Sequence, residues 1–214
     1  MKESLKDKKS RAEKIVKALK REYPDSDCTL CYKDPFELLV ATQLAAQCTD
    51  ARVNMVTPSL FKKYPDVYAF AEADEMELRT YIHSTGFYKN KAKNLIACSK
   101  KIIENFGGKV PDEMEQLLTL DGVGRKTANL ILGDIFSKPG IVVDTHAGRI
   151  SRRLGLTSNT DPYKVELDLL KVIPKEDQTD FCHRLVDHGR ACCSSRSPKC
   201  DNCCLNNLCP KIMK

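Results

Sequence analysis

Apolar residues recur at helical spacing along almost the whole chain. Ala12, Ile15, Val16 and Leu19 share one face of a basic segment. Asp34-Pro35-Phe36-Glu37 reads as an N-cap, a first-turn proline and a capping-box glutamate. The run after it, through Ala46, is apolar on nearly all sides, as a helix buried at the centre of a domain must be. Asp50 starts a further helix, which Pro58 should kink or split. Leu95, Ile96, Ser99, Ile102, Ile103 and Phe106 mark one face of a helix that stops at Gly107-Gly108. Residues 114–120 form a short helix and 125–136 a second, joined by Asp121-Gly122-Val123-Gly124. Asp161-Pro162 opens another helix that Pro174 closes, and Gln178–Ala191 is the last. Ile141-Val142-Val143 is the only β-branched run, and Pro139-Gly140 and Asp144 bound it tightly. The expected fold is therefore all-α, with Ser137-Lys138-Pro139-Gly140 as the one plausible linker and no internal repeat.

Composition narrows the class. With 214 residues, 42% hydrophobic and 30% charged, the chain reads as a soluble globular protein of one large or two small domains. The longest nearly apolar run, 38–48, is interrupted by Thr42, Gln43 and Gln47 and is too short to span a membrane. The charged N-terminus is followed by no apolar segment, so no secretion signal is read and a cytoplasmic location is expected. The net charge of +6 is concentrated at the ends: residues 1–22 hold nine Lys/Arg against four Asp/Glu, and 190–214 hold five against one. Basic ends suit a polyanion such as nucleic acid, or are simply solvated.

Cysteine usage is the stronger signal. Disulfides are disfavoured in the expected compartment, so clustered cysteines point to metal or redox chemistry. Of the eleven cysteines, six lie between Cys192 and Cys209. Cys193, Cys200, Cys203 and Cys209 are spaced C-x6-C-x2-C-x5-C, and soft sulfur ligands select iron–sulfur clusters or zinc. A lone structural zinc usually shows two close pairs, and here there is only one. Arg196, Pro198, Lys199 and Asp201 make the loop polar, so these cysteines have no core to fill. Cys192 and Cys204 sit beside the set, and the spacing alone does not choose between neighbours. Cys28-x2-Cys31 stands without a second pair or a nearby histidine and reads as structural.

The stretch from Leu120 to Ala128 is the most informative. Gly122 and Gly124 permit a tight turn with positive φ. The helix that follows would present N–H groups at its start, an anion site suited to a DNA phosphate. No strand precedes the turn and a third glycine is missing, which excludes a dinucleotide fingerprint. Lys126 falls in the first turn of that helix, where the macrodipole and the adjacent Arg125 favour the uncharged, nucleophilic amine. Read by itself, it is more often explained as a phosphate contact. Asp144 precedes Thr145-His146 and is placed to cap the helix through Ile150 and Leu154, with a carboxylate left oriented toward a substrate.

These residues together resemble a known family. The stretch from Asp121 to Asn129, then Val143-Asp144-Thr145-His146, then His188-Gly189-Arg190 and the four-cysteine loop look like endonuclease III, a DNA glycosylase/AP lyase of the helix-hairpin-helix superfamily. The likeness runs in order from about Pro35 to Cys209, with Leu44-Ala45-Ala46-Gln47 and Thr85-Gly86-Phe87-Tyr88 in support. It implies an all-α fold of two helical lobes flanking a DNA-binding cleft. One lobe, 27–137, is a helical barrel holding the helix-hairpin-helix at about 114–134. The other, 1–26 plus 138–214, carries a [4Fe–4S] cluster in the loop 193–209. The resemblance selects Cys193, Cys200, Cys203 and Cys209 as ligands rather than Cys192 or Cys204. It makes Lys126 the nucleophile and Asp144 the catalytic aspartate, and has Gln47 and Phe87 fill the gap left by a flipped base. Gly122, Val123, Gly124, Arg196 and Lys199 are the remaining expected DNA contacts. The expected activity is removal of oxidised pyrimidines from damaged double-stranded DNA, followed by β-elimination. The expected protein is a monomer with no membrane association, at the nucleoid when bound to DNA. Asp121 stands where the family commonly has proline, and Phe87 where leucine is frequent.

Three other readings compete. A monofunctional mismatch glycosylase of the same fold would lack the lysine. A non-catalytic DNA-binding module could be held by zinc. A redox sensor would need an exposed, reactive cluster.

Overall fold

The computed structural model describes residues 3–212 and is helical throughout, with no strand among the described residues. The chain divides into two compact units, Cys28–Ser137 and the discontinuous pair Met1–Asp27 with Lys138–Lys214.

The Cys28–Ser137 unit holds α2 (Pro35–Leu44), α3 (Asp50–Lys63), α4 (Val67–Ala71), α5 (Glu75–Ile82), α6 (Tyr88–Phe106), α7 (Met114–Leu117) and α8 (Arg125–Asp134). Helix α2 begins where the sequence puts it. The Asp34 carboxylate accepts from Glu37 N at 2.8 Å, and Pro35 occupies the first turn. Glu37 returns its carboxylate to the N–H of Lys33, one residue outside the usual box. Leu38, Leu39, Ala41 and Leu44 on α2 are all fully buried, so this helix forms the centre of the unit's core with α3, α6 and α8 around it. Helix α6 stops at Gly107 (φ 60°), a left-handed C-cap.

Three details differ from the sequence reading. Pro58 lies inside an unbroken α3; a proline removes one ladder bond, and the core packing of Val53, Val56 and Leu60 carries the helix past it. Helix α7 is a single turn ending at Leu117, because residues 118–120 already belong to the hairpin. Helices α4 and α5, missed in the sequence, follow the N-caps Asp66 and Asp74, each of which accepts from the N–H three residues on.

The other unit consists of α1 (Leu5–Glu22), α9 (Thr145–Arg153), α10 (Pro162–Leu170) and α11 (Gln178–Ala191). Ile15 and Leu19 of α1, Ile150 of α9, Leu169 of α10, and Phe181 and Leu185 of α11 fill its core. The segment Ile141-Val142-Val143 is not a strand; it is irregular chain leading into α9, with Ile141 and Val142 buried.

Candidate active site and metal centre

The hairpin between α7 and α8 is built as its glycines require, but only one of them needs a positive φ. Gly122 has φ 74°, and a Cβ there would lie 2.6 Å from Gln43 Oε1 and 3.1 Å from Asn94 Cβ. The Val123 side chain is buried and its N–H closes the turn onto Leu120 O at 3.2 Å. Gly124 is extended (φ −98°, ψ 175°) and is the N-cap of α8, with no side chain capping that helix. A Cβ at Gly124 would meet nothing within 4 Å, so the backbone there is open to close approach. Asp121 is held by the Lys101 ammonium at 3.1 Å, and the same ammonium donates to Thr119 O. An ion pair to α6 thus steadies a turn that lacks the proline. Lys126 is the second residue of α8 and its side chain is exposed.

Gln47 and Phe87 belong to two other loops of the same unit. Both are exposed, Phe87 by 62%, and both hold left-handed backbone, with φ of 54° and 47°. Non-glycine residues take that conformation only when their surroundings impose it, and such positions concentrate at functional sites.

Asp144 belongs to the second unit. It is the N-cap of α9, its Oδ1 accepting from Ala147 N at 2.7 Å, and it is half-buried. The cap role expected from sequence is therefore present. His146 follows it, its pKa lowered first by burial and further by Arg149 and Arg190, with Asp144 acting the other way. Gly189 of α11 packs against His146: a Cβ there would lie 2.1 Å from Nδ1, which explains the glycine of His188-Gly189-Arg190.

The cysteine loop lies beyond α11. Cys192, Cys193, Cys200, Cys203 and Cys209 line one concavity of about 390 Å³, counting space open to solvent, walled by Ile150, Leu154, Pro198 and Leu205. Several donors already point at sulfur. Arg153 Nη1 lies 3.3 Å from Cys193 Sγ, Leu205 N lies 3.4 Å from Cys203 Sγ, and Lys211 N lies 3.3 Å from Cys209 Sγ. Arg153 also donates to the carbonyls of Ser194 and Ser195, and Arg149 to that of Cys193. The loop 193–200 is closed at its base by Lys199 N to Cys192 O and by Cys192 Sγ to Lys199 O. Arg196 and Lys199 are exposed on it, and Lys199 Nζ reaches Ala191 O at 3.3 Å. Burial, aided by neighbouring thiols, pushes the Cys192 thiol up to about 12 and the Cys204 thiol up to about 11.

Among the described residues, one group of three ligand-bearing side chains has its donor atoms within 4.8 Å of one another: His188, Cys192 and Cys203. His188 is buried, with Tyr23 Oη 3.0 Å from its Nδ1 and Cys203 Sγ 3.5 Å from its Nε2. A cysteine–histidine group that could hold a metal is thus present. The spacing argument missed His188, because it counted sulfurs alone. It also missed Arg149 and Arg153, whose i, i+4 spacing on α9 was a legible sign of two guanidiniums on one face.

Sequence and structure comparisons agree on the relatives. Residues 40–175 match the HhH-GPD superfamily base excision DNA repair protein family. Endonuclease III of Synechocystis sp. is 53% identical, covering 95% of this chain and 93% of that protein. Endonuclease III of Bacillus subtilis is 46% identical, covering 90% and 88%. A solved structure of a trapped endonuclease III–DNA covalent intermediate superposes with a TM-score of 0.89 at 40% identity, covering 95% of this chain and 96% of that one. A thermostable thymine-DNA glycosylase shares the fold at 23% identity and a TM-score of 0.84. The chain therefore belongs to the HhH-GPD superfamily of base excision DNA repair proteins, and within it to the endonuclease III family.

Proposed function

We propose that the chain excises oxidised pyrimidines from duplex DNA and then cleaves the strand at the abasic site, with Lys126 as nucleophile and Asp144 as its acid–base partner. The observation that carries this is Lys126 itself, exposed at the second position of the helix that follows the Gly122–Gly124 turn. The monofunctional alternative has no use for an amine there. The likeness to a trapped covalent endonuclease III–DNA intermediate supports the same chemistry.

The lysine amine adds to C1′ of the extruded nucleotide as the base departs, and Asp144 accepts a proton and opposes the positive charge developing on the sugar. The resulting Schiff base acidifies C2′, and loss of that proton expels the 3′ phosphate. Gln47 and Phe87 occupy the space the base leaves, the exposed Phe87 ring serving as an apolar wedge. At the hairpin, the Gly124 backbone and the first turn of α8 receive a phosphate. Bound DNA would bring the protein to the nucleoid. No described helix is long and apolar enough to cross a membrane, and the reaction needs only one copy of the chain.

Cys193, Cys200, Cys203 and Cys209 are the proposed ligands of a [4Fe–4S] cluster, and the residues present fit it. All four line the concavity, and N–H donors already point at three of their sulfurs, as an anionic cluster requires. When bound, the cluster would supply a rigid anchor for the loop that carries Arg196 and Lys199.

The test is borohydride reduction during turnover, with duplexes carrying several oxidised pyrimidines and an abasic site. The wild type should leave a covalent adduct and Lys126→Ala none, while the variant still binds duplex. Undiminished trapping by Lys126→Ala would remove Lys126 from the mechanism.

A further inference from the structure

Lys91 is the one buried lysine among the described residues, 7% exposed, and no step of the chemistry above uses it. Its Nζ donates to Leu44 O at 2.7 Å and to Thr85 O at 2.8 Å. Those carbonyls belong to two separate loops. Leu44 ends α2, three residues before Gln47; Thr85 ends a 3-10 turn, two residues before Phe87. Gln47 and Phe87 are the two exposed side chains of this unit read above as wedges, and both hold left-handed backbone.

A buried ammonium is an expensive way to satisfy two helix-end carbonyls. Both partners are neutral, and burial lowers the lysine's pKa, with Cys48 nearby acting in the other direction. The surroundings thus work against the charge. What the charge does provide is a link: three donors on one atom can hold two carbonyls in fixed relation, and hydrogen bonds from a charged donor are the strong ones.

We propose that Lys91 is a positioning residue that clamps the Leu44–Gln47 and Thr85–Phe87 loops together, so that both wedge side chains are set in their strained conformations before DNA arrives. Such preorganisation moves the ordering cost from the moment of binding to the moment of folding. The proposal rests on the reading of Gln47 and Phe87 as the residues that fill the flipped-out gap.

The test separates opening of the stack from the covalent step. A fluorescent adenine analogue is placed opposite the damaged base, where its emission rises on unstacking. With saturating enzyme, Lys91→Met should lose most of that rise and slow single-turnover base release about tenfold to a hundredfold, the effect of losing a hydrogen bond from a charged donor. Borohydride trapping on single-stranded abasic DNA, which has no stack to open, should proceed as in the wild type and serves as the control for folding and for Lys126. Lys91→Arg, which retains charged donors, should recover part of the fluorescence. If Lys91→Met does not fold, Lys91→Gln carries the same comparison. Fluorescence and base release within twofold of wild type would overturn the clamp, as would a parallel loss of single-strand trapping. Phe87→Ala and Gln47→Ala are run beside them. If neither dims the signal, the wedge reading falls and the clamp with it; if they do and Lys91→Met does not, the clamp alone falls.

Discussion

Asp144 caps α9 and is the proposed acid–base partner of Lys126, and one substitution can pull the two roles apart. Its Oδ1 accepts from Ala147 N at 2.7 Å and so caps α9. Asparagine keeps a carbonyl oxygen in that position and is as good a cap as aspartate. What Asp144→Asn loses structurally is the negative charge against the helix dipole, about 0.3–1 kcal/mol. In a chain of this size that lowers Tm by roughly 1–4 °C. The catalytic loss is far larger, because an amide accepts no proton. A removed general base costs about a hundredfold to ten-thousandfold in rate, or about 3–5 kcal/mol of barrier. Asp144→Ser keeps a cap without the acid, and Asp144→Ala removes both, at about 1 kcal/mol more in stability. Single-turnover excision at saturating enzyme and thermal unfolding should therefore rank the three variants differently. Stability should order Asn and Ser above Ala, while all three should be comparably inactive. Excision by Asp144→Asn within threefold of wild type would refute the reasoning. So would activity that tracks Tm across the series.

Purified protein should contain roughly four iron atoms per chain and little zinc; Cys193→Ser, Cys200→Ser, Cys203→Ser and Cys209→Ser should each lose iron, and Cys192→Ser and Cys204→Ser should retain it. Iron loss from Cys192→Ser, measured by metal analysis, would move the ligand set toward the His188, Cys192 and Cys203 group. Replacing Arg196 and Lys199 together with alanine should weaken binding to damaged and undamaged duplex alike, and reduce the salt slope of log K by about two at most; an unchanged slope in a salt titration would rule out their phosphate contacts. Gly124→Asp should raise Tm by about 1 °C and weaken duplex binding roughly threefold to tenfold, read by calorimetry and by fluorescence anisotropy, with Gly124→Ser as the uncharged comparison.

The helical periodicities and their punctuation were legible because each start or stop carries its own chemistry. Asp34-Pro35 and Asp161-Pro162 open α2 and α10, Gly107 closes α6, and Asp144 caps α9, all by interactions within a few residues. Pro58 misled for the opposite reason: a local rule predicted a break, and long-range packing of α3 overrode it. Gly122 and Gly124 looked alike in sequence, yet only the first takes a positive φ, and the other is set by the helix it begins. Lys126 and Asp144, the proposed nucleophile and acid–base partner, stand next to turn and cap signals and were visible as candidates. Lys91, Arg149 and Arg153 were not. Their partners are carbonyls and a sulfur distant in sequence, and no composition or spacing rule announces a bond from Lys91 to both Leu44 and Thr85.

Helices α8 and α9 start with opposite electrostatic solutions, and the difference bears on what each can bind. A helix N-terminus favours an anion, because its first N–H groups lack intrahelical partners and the peptide dipoles add. At α9 the protein provides that anion itself: Asp144 turns its carboxylate back onto Ala147 N. At α8 the N-cap is Gly124, which has no side chain to turn back, and the space where a Cβ would stand is open. The backbone at Gly124 is extended rather than left-handed, so nothing in the local conformation requires a glycine. Serine or aspartate would fit and would make a better cap. Side-chain oxygens of Ser4, Asp34, Thr49, Asp66, Asp74, Asp144 and Asp161 cap seven helices, while α6, α7, α8 and α11 have no side-chain cap; at α8, where a serine or aspartate would fit, the bare cap forgoes a few tenths of a kcal/mol of stability. The forgone cap leaves the positive end of α8 available to an anion from outside, with Lys126 one residue inside the helix. A DNA phosphate seated there would bring the sugar next to it toward the amine proposed to attack it, and an internal carboxylate at position 124 would compete for the same seat.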